Sequence, residues 1–195
     1  MKKAVTACTL MSTALVFLAC TSVRHRFLVE GYTKNPGQMI KRIVILSEGS
    51  PQDKDLGELL NAITRDVIKT NRNYLVYGTL SAERDVAEAC KGREGLVRMR
   101  VERADAAGER VELDMTGELR RCSDHSLVWS ASARSSGKSR NRSLENLVRS
   151  YIEEHGEQAV VFAAPAFNVI EDIVETMPNP ALTEDEVIEK IELEN

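Results

Sequence analysis

The fold of this chain is decided by the segment 96–133, LVRMRVERADAAGERVELDMTGELRRCSDHSLVWSASA. Apolar residues alternate with polar or charged residues in three runs, at 96–103, 110–121 and 127–133. Asp105 to Gly108 and Ser123 to Ser126 separate the runs, and these residue types are typical of tight turns. Alternation places one face of each strand in the core and the other in water. The segment therefore predicts a three-stranded antiparallel meander.

A β-α-β unit is predicted upstream of the meander. The runs IVIL at 43–46 and YLVY at 74–77 are continuously apolar, which is typical of buried strands. Between them, apolar residues recur at helical spacing: Leu56, Leu59, Leu60, Ile63 and Val67. Such a unit is normally parallel and right-handed. Together with the meander it predicts an α+β fold, a single mixed sheet of about five strands with helices packed on one face.

The C-terminal third is predicted to be helical. Apolar residues at helical spacing run through 143–176 and would cover the sheet, and Pro178 and Pro180 end this region. Thr183 and Glu186 form a capping box that opens a short acidic helix. The chain then divides into four parts: a signal peptide at 1–19, an anchor and tether at 20–41, an α+β domain at 42–176, and a Pro hinge with an acidic helix at 177–195.

The N-terminus, MKKAVTACTLMSTALVFLAC, predicts a lipoprotein signal peptide. Lys2 and Lys3 precede an uncharged stretch from Ala4 to Ala19, which is shorter than the roughly 20 residues that span a bilayer and ends on small residues. The residues before Cys20 resemble a bacterial lipobox, whose cysteine becomes the acylated first residue, carrying palmitate or similar chains. A plainly secreted protein and an uncleaved anchor are the alternatives.

Cysteine usage predicts one disulfide. Cys8 would leave with the signal and Cys20 would carry lipid, so the mature fold keeps Cys90 and Cys122. A lone pair in an oxidising compartment usually bonds. Antiparallel pairing around the turn near Gly108 would return Cys122 to the neighbourhood of Cys90. Two thiols without a nearby His or Cys fall short of tetrahedral ligation, so no metal site is expected.

Charge is distributed unevenly. Residues 143–195 carry two Lys/Arg against thirteen Asp/Glu, and residues 91–142 carry twelve against eight. Arginines in the meander share its period with acidic residues, which predicts ion pairs on the wet face of the sheet. The basic, Ser-rich loop 135–143 offers Lys138, Arg140 and Arg142 as contacts for lipid phosphate groups. No aromatic residue is interleaved there, so nucleic acid is not an expected partner.

Catalysis is not expected. His25 lies in the predicted tether, His125 in a turn and His155 beside a helix break, without a partner at catalytic spacing. The sequence has no phosphate-binding Gly motif, HExxH or CxxC. We therefore expect a non-enzymatic protein without a cofactor.

The terminal helix carries an apolar edge among glutamates. Val187, Ile188 and Ile191, together with Leu193, form this edge. Such a helix could dock on its own domain or on another protein, and both outcomes are open at this point. Val187, Ile188 and Ile191 therefore join the basic loop as candidate partner contacts.

Several segments of the mature chain carry a family resemblance. They are KRIVILSE at 41–48, NRNYLVYG at 71–78, EGLVRMRVER at 94–103, ELRRCSD at 118–124, AAPAFNVIEDIVETMPNP at 163–180 and the terminal TEDEVIEKIEL. With Cys20 they resemble a functionally unassigned family of myxobacterial-type outer-membrane lipoproteins. The resemblance implies an envelope location and transfers no site residue. Residue 21 is Thr, whereas the retention rule of the resembling lipoproteins requires Asp there to keep a lipoprotein in the inner membrane. The resemblance therefore implies sorting to the outer membrane, facing the periplasm.

At fold level, the order of elements over 43–134 is similar to periplasmic domains of the curli-secretion-lipoprotein and Tol-propeller N-terminal type. Order of elements is weak evidence for function. We expect an outer-membrane-anchored periplasmic lipoprotein that binds an envelope protein partner in assembly or maintenance. The alternative is a lipid or lipopolysaccharide carrier, which would need an apolar cavity between sheet and helices.

Overall fold

The computed structural model describes residues 22–49, 55–108, 110–138 and 144–194. Its strands are β1 (Ser22–Leu28), β2 (Arg42–Glu48), β3 (Leu75–Leu80), β4 (Gly95–Ala107), β5 (Arg110–Arg121) and β6 (Leu127–Lys138). Its helices are α1 (Asp55–Asn71), α2 (Val86–Ala89), α3 (Glu145–His155), α4 (Glu157–Glu175) and α5 (Glu184–Glu194). None of the helices in these ranges is long and apolar enough to cross a membrane.

All six strands form one mixed sheet in the order β1-β6-β5-β4-β2-β3. The strands β4, β5 and β6 form the predicted antiparallel meander. The strand β2 runs parallel to both β3 and β4, as the β-α-β unit requires. The expected α+β fold, with helices packed on a mixed sheet, is therefore confirmed, and the sheet has six strands instead of about five.

The additional strand is β1, in the segment predicted to be a tether. It pairs antiparallel with β6, with Leu28 opposite Trp129. Its register shifts between Val23 and His25, so the alternation that marks a strand in sequence is interrupted. From Ser22 onward the segment is therefore part of the sheet, and short 3-10 turns at 32–34 and 36–38 lead from it to β2.

Helix α4 packs closely against the apolar face of the sheet. Gly117 of β5 lies beneath it, and a Cβ there would stand 2.6 Å from Ile173 Cγ2 and 3.0 Å from Met99 Sδ. Trp129 is fully buried and donates through Nε1 to Thr176 Oγ1 at 3.2 Å. The space between the meander and α4 is therefore filled by side chains.

The helical region 143–176 is divided in two. The chain leaves helical conformation at Gly156, where φ is 70°, and α4 then continues through Pro165 to Glu175. A φ in this region favours glycine, which lacks a Cβ. Gly156 therefore separates α3 from α4, and Pro165 lies inside α4 without ending it.

The opposite face of the sheet is partly covered near β2. Val44, Leu46, Val86 and Leu96 form a second, smaller apolar cluster beneath α2. Cys90 lies beside it and is bonded to Cys122, with the two Cα atoms 5.3 Å apart. The predicted disulfide thus ties α2 to the end of β5.

The rest of this face carries the expected ion pairs. Arg100 Nε lies 3.1 Å from Glu48 Oε2, Arg120 Nε lies 2.8 Å from Glu118 Oε2, and Arg134 Nε lies 3.3 Å from Asp114 Oδ1. Arg98 pairs with Glu83. These arginines are therefore engaged within the chain.

Candidate functional site

Helix α5 is docked on its own domain through charged side chains. Lys41 Nζ lies 2.7 Å from Glu186 Oε2, and both side chains are almost buried. Arg42 holds Glu189 with two nitrogens, Nε at 3.1 Å and Nη2 at 2.6 Å. The Tyr77 hydroxyl of β3 also donates to Glu189. Two-pronged guanidinium–carboxylate pairs are strong and directional, so this contact fixes the rotation of the helix.

Both ends of α5 are also held through hydrogen bonds. The predicted capping box is present: Thr183 N–H donates to Glu186 Oε2 at 2.8 Å, and Glu186 N–H donates to Thr183 Oγ1 at 3.4 Å. Lys69 Nζ of α1 donates to Leu193 O at 2.9 Å. Lys190 Nζ donates to the Arg72 carbonyl at 2.8 Å. The helix is therefore anchored along its whole length.

The docking contacts shift the pKa values of the groups involved. The hydrogen bond from Arg42, followed by that from Tyr77, holds the pKa of Glu189 below its ordinary range. Lys41 does the same for the pKa of Glu186. Donating to Glu189 raises the pKa of the Tyr77 hydroxyl. Both carboxylates therefore stay ionised, and the tyrosine stays protonated, at neutral pH.

With its polar side inward, α5 presents apolar side chains to the solvent. Val187, Ile188 and Ile191 are 45%, 56% and 55% exposed. At about 100° per residue they fall on the side of the helix opposite Glu186 and Glu189. A surface helix usually buries its apolar stripe, and here the orientation is reversed.

Acidic side chains surround these three apolar residues. Glu184, Asp185 and Glu192 are exposed, and no ion pair engages them among residues 22–49, 55–108, 110–138 and 144–194. We call the exposed set Glu184, Asp185, Val187, Ile188, Ile191 and Glu192 the α5 face.

A second apolar surface lies at the opposite end of the sheet, on strand β1. Val23, Phe27 and Val29 are 41%, 40% and 39% exposed. Arg24, His25 and Arg26 stand between them and are exposed as well. Arg24 Nη1 approaches Asp114 Oδ2 only to 3.8 Å. We call residues 23–27 and Val29 the β1 edge.

The α5 face and the β1 edge contain all the exposed large apolar side chains in the described part of the chain. Scattered exposed apolar residues are ordinary, whereas clusters rimmed by polar groups mark interaction sites. Three of the six residues lie on α5 among acidic neighbours. The other three lie on β1 among basic neighbours, with Phe27 and Val29 on one face of the strand and Val23 on the other.

The two surfaces lie at adjoining levels along the strands. Phe27 belongs to a row of cross-strand partners: Ser130, Glu118, Arg98 and Leu46. Val29 donates its N–H to Val128 O at 3.0 Å and lies closer to the end of the sheet at which β2 begins. Helix α5 is held by Arg42, the first residue of β2, and by Tyr77 of β3, so it lies nearer to the start of β2 than Leu46 does. The two surfaces thus lie at opposite edges of the sheet, with α5 near the level of Val29 and the rest of the β1 edge further along the strands.

A polar cavity of about 370 Å³ adjoins the seat of α5. Its charged lining consists of Lys41, Arg93, Glu94, Arg121 and Glu186. Glu94 Oε2 accepts the Lys41 N–H at 2.6 Å, and the Arg93 guanidinium lies 3.5 Å from the centre of the Tyr77 ring. A second cavity, of about 140 Å³, lies between α1, α3 and α4. Tyr151 donates to Asp66 Oδ2 beside it at 2.7 Å, and burial followed by this bond raises the pKa of Tyr151.

The histidines lie on different elements. His25 is in β1, His125 is in a turn with a φ of 57°, and His155 ends α3. Within the described ranges, no cluster of three or more His, Cys, Asp or Glu residues could hold a metal ion.

The remaining candidate residues are placed as follows. Lys138 is the last residue of β6, so the strand includes 135–138, which had been predicted as loop. Cys20, Arg140 and Arg142 lie outside the described residues. Sequence reasoning missed the β1 edge, although the string VRHRF at 23–27, basic residues between apolar ones, was visible.

Comparison with known proteins identifies the fold. No protein-family model matches the chain, and no curated protein matches its sequence. The PelC dodecamer from Paraburkholderia phytofirmans has a TM-score of 0.55 at 15% identity and covers 83% of this chain and 100% of its own. A point variant of the same dodecamer gives 0.53 at 14% identity, covering 83% and 99%.

A third structure, lipoprotein GNA1162 from Neisseria meningitidis, has a TM-score of 0.40 at 14% identity and covers 58% of this chain and 96% of its own. At these identities the PelC likeness establishes the fold alone, and membership of the myxobacterial-type lipoprotein family stays a prediction.

Proposed function

We propose that this chain is a non-enzymatic lipoprotein, anchored through Cys20 in the outer membrane and facing the periplasm, that binds a protein partner in envelope assembly or maintenance. The observation that carries the proposal is the pair of apolar surfaces, the α5 face and the β1 edge, on a domain whose other large apolar side chains, as far as the structure describes them, are buried or half-buried. Protein interfaces are built around apolar anchors ringed by polar groups.

The anchor and the domain are close in sequence. Strand β1 begins at Ser22, two residues after Cys20. Two extended residues reach at most about 7 Å, so acylation of Cys20 would hold the start of β1 near the lipid headgroups. Two or more acyl chains make such an anchor stable.

The structural neighbours favour a role in assembly. The two PelC structures that share the fold are dodecamers. A domain of this shape is therefore compatible with side-by-side packing in an oligomer, a use that needs docking surfaces and no catalytic centre.

The alternative is a lipid or lipopolysaccharide carrier. A carrier needs an apolar cavity of several hundred Å³ between sheet and helices. Here Gly117, Ile173, Met99 and Trp129 pack tightly in that space, and the cavity of about 370 Å³ is lined by charged side chains at the base of the sheet. These observations favour protein binding over lipid carriage.

The anchor is tested on the full chain expressed in a bacterium with two membranes. Cells grown with an alkyne analogue of palmitate should label the unsubstituted chain, and the label should sediment with outer membranes. Cys20→Ala should lose the label. Label in the Cys20→Ala chain, or an unlabelled chain in the periplasm, would contradict the anchor.

The partner-binding role is tested with a photocrosslinking amino acid at Ile188 in the same full chain. The matched control places it at Glu153, which is exposed on α3. Protein adducts are expected from position 188 and not from position 153. Adducts to lipid alone would support the carrier instead.

A further inference from the structure

We infer that the partner is a second copy of this chain, bound head to tail, with the α5 face of one copy against the β1 edge of the next. The inference deepens the proposed function and rests on it, since it names the partner that the same surfaces bind. The two surfaces carry opposite charges, lie at opposite edges of the sheet, and would each repel an identical surface of a second copy.

The two surfaces are complementary in chemistry. The α5 face sets Val187 and Ile188 among acidic side chains that no ion pair engages in the described part of the chain. On the β1 edge, Phe27 and Val29 lie on one face of the strand, Arg26 lies on the other face, and Arg24 stands at the register shift between Val23 and His25. Apolar contact would then occupy the centre and opposite charges the rim, the usual arrangement of a specific interface.

The α5 face and the β1 edge of one copy cannot contact each other, because they lie at opposite edges of its sheet. Strand β1 is one end of the sheet, and α5 packs along β3 at the other end. Helix α5 is held near the level of Val29, so a neighbour placed beside the sheet brings its α5 face to the Val29 end of the β1 edge. Each copy offers one surface of each kind, and a contact of this type repeats into a ring or a filament.

Contact between identical surfaces is disfavoured by charge. Two α5 faces together would bring Glu184, Asp185 and Glu192 against their own copies. Two β1 edges would bring Arg24 and Arg26 against theirs. Like charges facing each other across an interface are destabilising, so the charge pattern selects the head-to-tail contact over either symmetric one.

Thiol-to-thiol crosslinking in cells tests the contact on the full chain. Two singly substituted chains with different tags, Phe27→Cys and Ile188→Cys, are co-expressed and treated with a short bismaleimide. Cys90 and Cys122 are bonded to each other, so the introduced thiols are the reactive ones. The unsubstituted chain and a Phe27→Cys with Glu153→Cys pair are the controls.

A crosslinked dimer should contain both tags, and neither chain expressed alone should dimerise. A chain with both substitutions should give a ladder of higher multimers. Dimers from one substituted chain alone would show a symmetric contact and overturn the inference. Absence of any copy-to-copy product, or products with another protein only, would overturn it too.

Charge exchange provides a second, independent variant set. Arg26→Glu and Glu192→Lys each place like charges in the contact and should reduce the mixed-tag product about tenfold, whereas the two together should restore it. Failure of the double substitution to restore it would contradict the proposed pairing.

The inference and the proposed function fail separately. Acylation and outer-membrane sedimentation are measured on the same samples. An acylated chain without copy-to-copy product refutes only the head-to-tail contact, and a ladder from an unacylated periplasmic chain refutes only the anchor.

Discussion

Gly117 shows how closely a single residue fits the sheet to its helical cover. It occupies the central strand of the meander, opposite Met99 on β4 and Ala131 on β6. A Cβ at this position would lie 2.6 Å from Ile173 and 3.1 Å from Trp129. The absence of a side chain is what allows α4 to approach the sheet.

Gly117→Ala should destabilise the domain by about 1–3 kcal/mol, because Ile173 and Met99 would have to move in a packed core. Denaturant unfolding of the full chain measures the change. Gly37→Ala is the matched control, since a Cβ there meets nothing within 4 Å. Equal stability of the two variants would mean that the core has room beneath α4.

The Cys90–Cys122 bond closes a loop with a sequence separation of 32. On the chain-entropy account, removing it with Cys90→Ala and Cys122→Ala together should cost about 3–4 kcal/mol, measured by the same unfolding experiment. Alkylation of the unreduced, unfolded mature protein should detect no free thiol at either position. Two reactive thiols would contradict the bridge.

At the scale of elements, α5 is unusual because ion pairs and hydrogen bonds hold it. Its contacts to Lys41, Arg42 and Tyr77 use the same glutamates that make its sequence look solvated. Of the two outcomes left open by the sequence, docking on its own domain is therefore present in the structure, and the apolar side of the helix stays exposed.

Glu189→Gln should loosen α5 without unfolding the domain. The change removes the charge that Arg42 holds, so amide protection in α5 should fall about fivefold, corresponding to roughly 1 kcal/mol. Glu153→Gln removes an exposed charge from α3, away from the α5 face, and should leave protection unchanged. Hydrogen exchange followed by mass spectrometry makes the comparison, and equal loss in both variants would contradict the clamp.

The docking of α5 should also depend on pH. Because the pKa values of Glu186 and Glu189 are lowered in the folded state, their contribution is fully present above the unfolded value of about 4.3 and is lost as pH falls through the folded values. Protection of α5, corrected for intrinsic exchange, should therefore decline in acid below about pH 4. A decline that begins near neutrality would point to a different group.

At the scale of the whole molecule, the two edge strands of the sheet, β1 and β3, have different surroundings. Helix α5 packs against β3 at one edge of the sheet. The β1 edge is protected by charge, with Arg24 and Arg26 among its apolar residues. Charged side chains on an edge strand resist indiscriminate strand pairing.

Salt should weaken the head-to-tail contact. Raising the ionic strength from about 0.05 M to 0.5 M shortens the screening length between exposed charges severalfold, so the mass of the detergent-extracted full chain should fall. Light scattering after size exclusion measures it, and Arg26→Glu with Glu192→Lys should show the same dependence. A mass that does not respond to salt would leave the acidic and basic rims without a role in the contact.

The sequence alone determined the local architecture. Alternation over 96–133 fixed the meander, helical spacing after Leu56 fixed the β-α-β unit, and Thr183 with Glu186 fixed the start of α5. The disulfide followed from the same strand pairing. Each of these features depends on residues that are close in sequence or belong to one hairpin. At that range, the periodicity of apolar residues indicates which side of an element is apolar.

Only the tertiary structure decided what those sides face. The apolar run at 27–29 allowed only a short strand in this segment, because the register shift interrupts the alternation before it. The full strand β1 forms through hydrogen bonds to β6, more than 100 residues away. The rotation of α5 was hidden because Lys41 and Glu186 lie 145 residues apart. The periodicity of the sequence shows that a helix has an apolar stripe. Ion pairs with residues distant in sequence determine which side of α5 faces the domain, and they leave its apolar side exposed.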